Sequence, residues 1–214
     1  MHVVITGANR GIGAALADRF SQRGETVTGT SRDPKSDHTL DVTDPASHRA
    51  FAARLDGTPV DLLVCNAGVY LDKGEALPDG YPTKMWADSF AANVTGVFLT
   101  VQTLLPCLQA AHAGKIAIIS SQMASDERAP GGSYIYRASK AAALNLGRNL
   151  ATDLAPLGLA VGIYHPGWVR TDMGGNSADI SVDKAASGLI QRFDALDLES
   201  TGCFQTWDGK DHPY

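Results

Sequence analysis

Tyr136 and Lys140 stand four residues apart in the run Tyr136-Arg137-Ala138-Ser139-Lys140. On a helix, that spacing puts a phenol and an ammonium on one face. A free phenol ionises near ~10 and shuttles protons poorly at neutral pH, whereas a fixed positive charge beside it favours the phenolate and lowers that value. The pair reads as an acid and its tuner, with Lys140 expected to lower the pKa of Tyr136. Tyrosine and lysine four apart also occur on many solvated helices, so the pair takes its meaning from what the chain places around it.

The elements that must position the pair begin at the N terminus. An apolar run at 1–5 breaks into Thr6-Gly7-Ala8-Asn9-Arg10-Gly11-Ile12-Gly13. A helical pattern through Leu16 and Phe20 follows, closed by Arg23-Gly24 before a second strand-like run, Thr26–Thr30. Strand, glycine turn and helix let a backbone approach a pyrophosphate and offer it unpaired N–H groups and a favourable dipole. The first gap in Gly7, Gly11, Gly13 is wider than in G-x-G-x-x-G, and an ordinary βα turn without a ligand would use the same residues. Residues 40–44 read as a short third strand leading to Asp44-Pro45, an N-cap and first-turn proline that open a helix toward Leu55. Roughly a dozen residues separate it from the second strand, too few for a full crossover helix. Further strands are expected at 61–65, 115–119 and 159–164, with helices over 89–105 and 136–154 and a last strand and turn within 202–209.

Together these residues resemble the short-chain dehydrogenase/reductase family, whose pattern joins a Thr-Gly-x-x-x-Gly-x-Gly turn, an Asn-Ala-Gly motif, a catalytic serine and Tyr-x-x-x-Lys. Asn66-Ala67-Gly68 follows the strand at 61–65, Asn93 lies in the helix at 89–105, and Ser120-Ser121 end the strand at 115–119. Pro166-Gly167-Trp168-Val169-Arg170-Thr171 is similar to the family's Pro-Gly-x-Val-x-Thr loop. The Ser-Ser ending, the Tyr-Arg-x-Ser-Lys form and the short chain are most similar to small carbonyl reductases of the sniffer and C-factor kind. The resemblance implies an α/β fold: a single Rossmann-type doubly wound parallel sheet with helices on both faces, residues 1–214 forming one domain.

It also implies a tetrad of Asn93, Ser121, Tyr136 and Lys140. Tyr136 would exchange a proton with the substrate oxygen, Ser121 would hold that oxygen, Lys140 would bind the cofactor ribose, and Asn93 would hold a water linking Lys140 to solvent. Ser120 and Tyr134 compete for these roles, and Asn93 could be a plain polar residue of its helix. Cofactor contacts are implied for Thr6, Gly7, Asn9, Arg10, Gly11, Ile12 and Gly13, and for Asp41 and Val42 near the adenine. Asn66, Ala67, Gly68, Tyr136 and Lys140 would follow, with Pro166, Gly167, Val169 and Thr171 beneath the nicotinamide. The alternative for Arg10 is a solvated turn residue or a salt bridge.

After the second strand, an acidic residue would bind the ribose hydroxyls of NAD, whereas an arginine accommodates the 2′-phosphate of NADP. Ser31-Arg32 favours NADP(H), while the adjacent Asp33 keeps NAD(H) open. Three cysteines without metal or disulfide-framework spacing read as reduced and mostly core, and no metal is expected. A formal charge of −5 without clustered Lys and Arg argues against a nucleic-acid surface. No signal peptide and no run approaching ~20 apolar residues is apparent, so a cytoplasmic protein without membrane contact is expected.

His165 suits packing or positioning better than proton transfer, and Arg137 is expected to point away from the site. Met123, Trp168 and Met173 could form a substrate wall or core. The short, glycine-rich segment after Thr171 implies an open site for exposed carbonyls such as aldehydes, ketones or quinones, or the matching alcohols. Apolar helices at 93–110 and 136–154 are suited to pair in a homodimer or homotetramer, with a monomer as the alternative. Three readings follow: a carbonyl reductase, an epimerase or dehydratase on the same scaffold, or a cofactor-binding sensor without turnover.

Overall fold

Short apolar runs that alternate their side chains between two faces give strands buried on both sides. The computed structural model describes residues 1–214 and contains six strands, of which the four inner ones are of this kind. They are β1 (His2–Thr6), β2 (Thr26–Thr30), β3 (Leu62–Cys65), β4 (Lys115–Ile119), β5 (Ala160–His165) and β6 (Phe204–Thr206). All pair in parallel, in the order β2-β1-β3-β4-β5-β6. Val4, Leu63, Ile116 and Ile118 face one core with helices α2 (Pro45–Leu55), α4 (Gly96–Ala110) and α5 (Tyr134–Leu154). Val3, Ile5, Leu62, Val64 and Ala117 face the other core, with α1 (Gly11–Gln22) and α6 (Val182–Ala195). The result is the doubly wound sheet expected from the sequence. The chain reverses direction across the sheet between β1 and β3, opening a crevice at their C-terminal ends.

The strand expected at 40–44 does not form. Only one parallel bridge, Ser31 to Thr39, extends the β2 edge, and Leu40 N donates to Ser31 O at 2.8 Å. Asp41 then stops any extension, because its Oδ1 accepts from Thr43 N at 2.9 Å and Thr43 Oγ1 at 2.7 Å and turns the chain. Asp44 caps α2 through Ala46 N at 2.8 Å, as the Asp-Pro pair indicates. Leu40 and Val42 remain buried, so their apolar character serves the core and not a ladder.

A second correction concerns the middle of the chain. Helix α3 (Thr83–Phe90), a π-helical turn (Ala91–Thr95) and α4 run on as one 28-residue helix, long and apolar enough to cross a membrane by length and composition. Half of its apolar stretch is buried, and α4 packs on α2, β3 and β4, which is the setting of a core helix.

Helix α5 lies close on the sheet because Gly147 presents no side chain. A Cβ there would stand 2.6 Å from Ile163 Cγ1 and 3.1 Å from Ile118 Cδ1. Gly147→Val therefore overpacks this contact, and urea denaturation should show a loss of about 1–3 kcal/mol.

Candidate active site

Thr6, at the end of β1, ties the two strands that flank the crevice. Its Oγ1 donates to Val64 O at 3.4 Å and accepts from Asn66 N at 3.1 Å and Ala67 N at 3.0 Å. Asn66 returns the tie, its Nδ2 donating to Thr6 O at 3.0 Å and Gly7 O at 3.1 Å. Gly7 and Gly11 have φ of 68° and 57°, in the left-handed region that favours glycine. At Gly13 a Cβ would strike Gly7 O and stand 2.6 Å from Asn66 Nδ2, so the helix can approach the strand only with glycine there. Arg10 makes no side-chain cap and the first turn of α1 has no acidic residue, so its N–H groups are free to face an anion.

A cleft of about 950 Å³ starts at this turn. Gly7, Asn9, Arg10, Gly11, Ile12, Ser31, Arg32, Asp41, Val42, Asn66, Ala67 and Gly68 line it, and it continues to Tyr136, Lys140, Pro166 and Thr171. At its far end, burial pushes the Asp41 carboxyl up, but hydrogen bonds from Thr43 and the charges of Arg32 and His48 leave it below the usual carboxylate range. Asp33 also lines the cleft, with its Oδ1 accepting from Lys35 N at 2.9 Å. Arg10 pairs with Asp172 at 2.6 Å, joining the glycine turn to the loop after Thr171.

Tyr136 and Lys140 share the inward face of α5 at 8% and 6% exposure. Lys140 Nζ lies 5.7 Å from the Tyr136 ring centroid and donates to Ile119 O at 2.9 Å. Burial dominates both groups: it holds the Lys140 ammonium down to about 8 and pushes the Tyr136 phenol up to about 12. Burial thus runs against the expectation that Lys140 makes this phenol acidic: desolvation sets the direction, and Lys140, bonded to Ile119 O, is not among the groups that shift it. Ser121, whose Oγ accepts from Met123 N at 3.1 Å, is the one group that works against this rise and offsets part of it. Ser120 has no such freedom, because its Oγ donates to Lys140 O at 3.1 Å.

Asn93 falls in the π-helical turn. Its Oδ1 accepts from Val69 N at 2.8 Å, and its Nδ2 donates to Val69 O and Ser139 Oγ, each at 2.9 Å. Ser139 in turn donates to Tyr136 O at 2.9 Å, which links Asn93 to the tyrosine through one hydroxyl. Asn93 and Lys140 meet over Gly68, where a Cβ would lie 3.0 Å from Asn93 Oδ1 and 3.5 Å from Lys140 Nζ.

Six expected site residues do not line the cleft: Thr6, Gly13, Asn93, Ser121, Gly167 and Val169. Thr6, Gly13 and Asn93 stand behind the lining residues and hold Asn66, the glycine turn and Val69 in place, and of the Ser120-Ser121 pair it is Ser120 that lines the cleft. Gly167 has φ of 89° and faces Ile180 and Trp207, while Val169 is buried and bridges to Ile180. These two set the course of the loop and leave Pro166 and Thr171 on its exposed side. Arg137 is also tied down, donating to Gly132 O at 3.2 Å and Arg128 O at 3.3 Å. Sequence reasoning missed Ser139, Tyr70 and Asp72. Tyr70 stacks on Tyr136 with centroids 4.2 Å apart, and Asp72 accepts from the Tyr136 amide at 3.2 Å.

The short chain dehydrogenase family model matches residues 1–180. The C-signal protein of Myxococcus xanthus is 36% identical over 167 residues, covering 78% of this chain and 99% of its own. The 1-hydroxy-2-glutathionyl-2-methyl-3-butene dehydrogenase of Rhodococcus sp. (strain AD45) is 33% identical over 97% of this chain and 96% of its own. The NADPH-bound carbonyl reductase from chicken fatty liver superposes with a TM-score of 0.91 at 31% identity, covering 100% of this chain and 98% of that one. The chain belongs to the short-chain dehydrogenase family. It is accordingly an oxidoreductase of the kind that interconverts CH–OH and C=O groups.

His165, at the end of β5 before Pro166, is no proton carrier at neutral pH. Burial, then the His212 and Arg128 charges, lower its pKa from 6.5 to about 4. The unfolded chain takes up that proton at higher pH than the folded one, so stability is full above pH ~6.5 and declines as pH falls toward ~4. Urea midpoints should fall over this window by an equivalent on the order of 3 kcal/mol, and His165→Asn should flatten the slope.

Proposed function

We propose that this oxidoreductase is an NADP(H)-dependent carbonyl reductase in which Tyr136 is the general acid. One observation carries the reading: a single cleft runs from Arg32 past the glycine turn to a buried tyrosine and lysine on one helix face. The residues fit a dinucleotide, because the Gly7–Gly13 cradle excludes a Cβ and the free first turn of α1 suits a pyrophosphate. Arg10, Gly11 and Ile12 would hold that pyrophosphate, Ser31 and Arg32 the 2′-phosphate, and Asp41 and Val42 the adenine. Asn66, Ala67, Gly68, Lys140, Pro166 and Thr171 would hold the ribose and nicotinamide. When bound, the reduced nicotinamide supplies the hydride.

The protein's own groups manage the proton. Ser121 orients the carbonyl oxygen, and Tyr136, kept protonated by burial, donates to it as negative charge develops there. The phenolate left behind lies next to the Lys140 ammonium, which compensates a charge the buried site could not otherwise hold. Lys140, with a pKa of about 8, is then able to hand on a proton near neutrality. The Ser139 and Asn93 links hold the tyrosine and lysine in register on α5. The NADPH-bound carbonyl reductase that this chain resembles supports both cofactor and reaction class.

Purified protein should oxidise NADPH faster than NADH against aldehydes, ketones and quinones, read at roughly 340 nm where reduced nicotinamide absorbs. Tyr136→Phe should lower kcat by about 10²–10⁴ with cofactor binding intact, and unchanged turnover would refute the assigned acid. Arg32→Ala should raise the KM for NADPH by about tenfold and spare that for NADH, since only the former carries the 2′-phosphate. Conversion of substrate without net cofactor oxidation would point to an epimerase or dehydratase.

A further inference from the structure

Asp72 is fully buried, yet it takes part in none of the protein's ion pairs. Its Oδ2 accepts from Ile135 N at 2.8 Å, and both carboxylate oxygens accept from Tyr136 N, at 3.2 and 3.3 Å. These amides open α5, whose own N-cap residue, Ser133, has φ of 48° and makes no side-chain cap. The cap is thus delivered from 63 positions upstream, from the segment that follows Asn66-Ala67-Gly68. The same segment lays Tyr70 flat on Tyr136, with rings 4.2 Å apart and 20° from parallel. Tyr70 OH also shares a hydrogen bond with Ser133 Oγ at 2.5 Å.

We infer that Asp72 is a positioning residue for the general acid: its carboxylate fixes the first turn of α5, which carries Tyr136, from the same segment that stacks Tyr70 on the phenol ring. Ser133, in the left-handed region, leaves these amides without a side-chain cap, and a fully buried carboxylate from a distant segment supplies it. The titratable and polar groups around Tyr136 are Lys140 from α5, Ser121 from the end of β4, and Tyr70, on the ring, and Asp72, on the backbone amide, from the segment after β3. Burial is the largest influence on the phenol. Ser121 opposes it, whereas Tyr70 and Asp72 add to it and keep the proton on the oxygen. Asp72 therefore favours the form that donates.

The inference rests on Tyr136 being the acid, so Tyr136→Phe is assayed alongside. Carbonyl reduction is followed against pH for the wild type and for Asp72→Asn, Asp72→Ser and Asp72→Glu. Asn and Ser keep a cap acceptor without charge, and Glu keeps the charge. In Asp72→Asn or Asp72→Ser, kcat should fall by about tenfold with cofactor affinity unchanged, and its alkaline limb should move to lower pH by about half a unit. Asp72→Glu should leave the limb in place. A limb that stays put in a folded neutral variant, or one that moves equally in Asp72→Glu, overturns the inference and leaves the tyrosine's role intact. Turnover that survives in Tyr136→Phe would sink the tyrosine reading itself, and Asp72 with it.

Discussion

Burial of a phenol and an ammonium on one face of α5 governs the site. Either charge alone is expensive there, and the effects run in opposite directions: the tyrosine holds its proton more tightly and the lysine less. Lys140 spends a hydrogen bond on Ile119 O and reaches the tyrosine only across its ring. In the proposed reaction their attraction matters most once the proton has left the phenol, so it stabilises the product of proton transfer more than the resting site. An interaction that grows along the reaction accelerates it, whereas one present from the start would only tighten binding.

The rest of the molecule keeps that helix face still. Gly147 seats α5 on Ile118 and Ile163, Ser120 holds the Lys140 carbonyl, and Ser139 relays Asn93 to the turn that carries Tyr136. The segment after Asn66-Ala67-Gly68 closes the arrangement, since Val69 is held by Asn93 and Asp72 by the first turn of α5. The dinucleotide end and the chemical end are thereby joined mechanically. Thr6 and Asn66 fix the glycine turn to β3, and β3 leads directly into the segment that aligns the tyrosine.

Much of this was legible in the sequence because it follows from short-range rules. Residues four apart share a helix face, glycines mark turns without room for a Cβ, and apolar runs of about five residues make buried strands. The run at 40–44 misled because Leu40 and Val42 look like strand residues, while a side-chain turn at Asp41 decides the backbone. Lys140 misled for a different reason: spacing shows that two groups are neighbours but not how dry they are, and dryness decides the sign of the pKa shift. Tyr70 and Asp72 gave no signal because their partners lie more than sixty positions away. Gly167 and Val169 match a motif whose register says nothing about which residues face the cleft.

Carbon NMR of protein labelled at tyrosine Cζ, with Tyr136→Phe to assign the resonance, reads the ionisation of this phenol directly. If burial governs the site, Tyr136 stays protonated past the ~10 of a free tyrosine. A midpoint well below that value in the protein alone would mean that the lysine charge prevails over desolvation, and the account given above would be wrong.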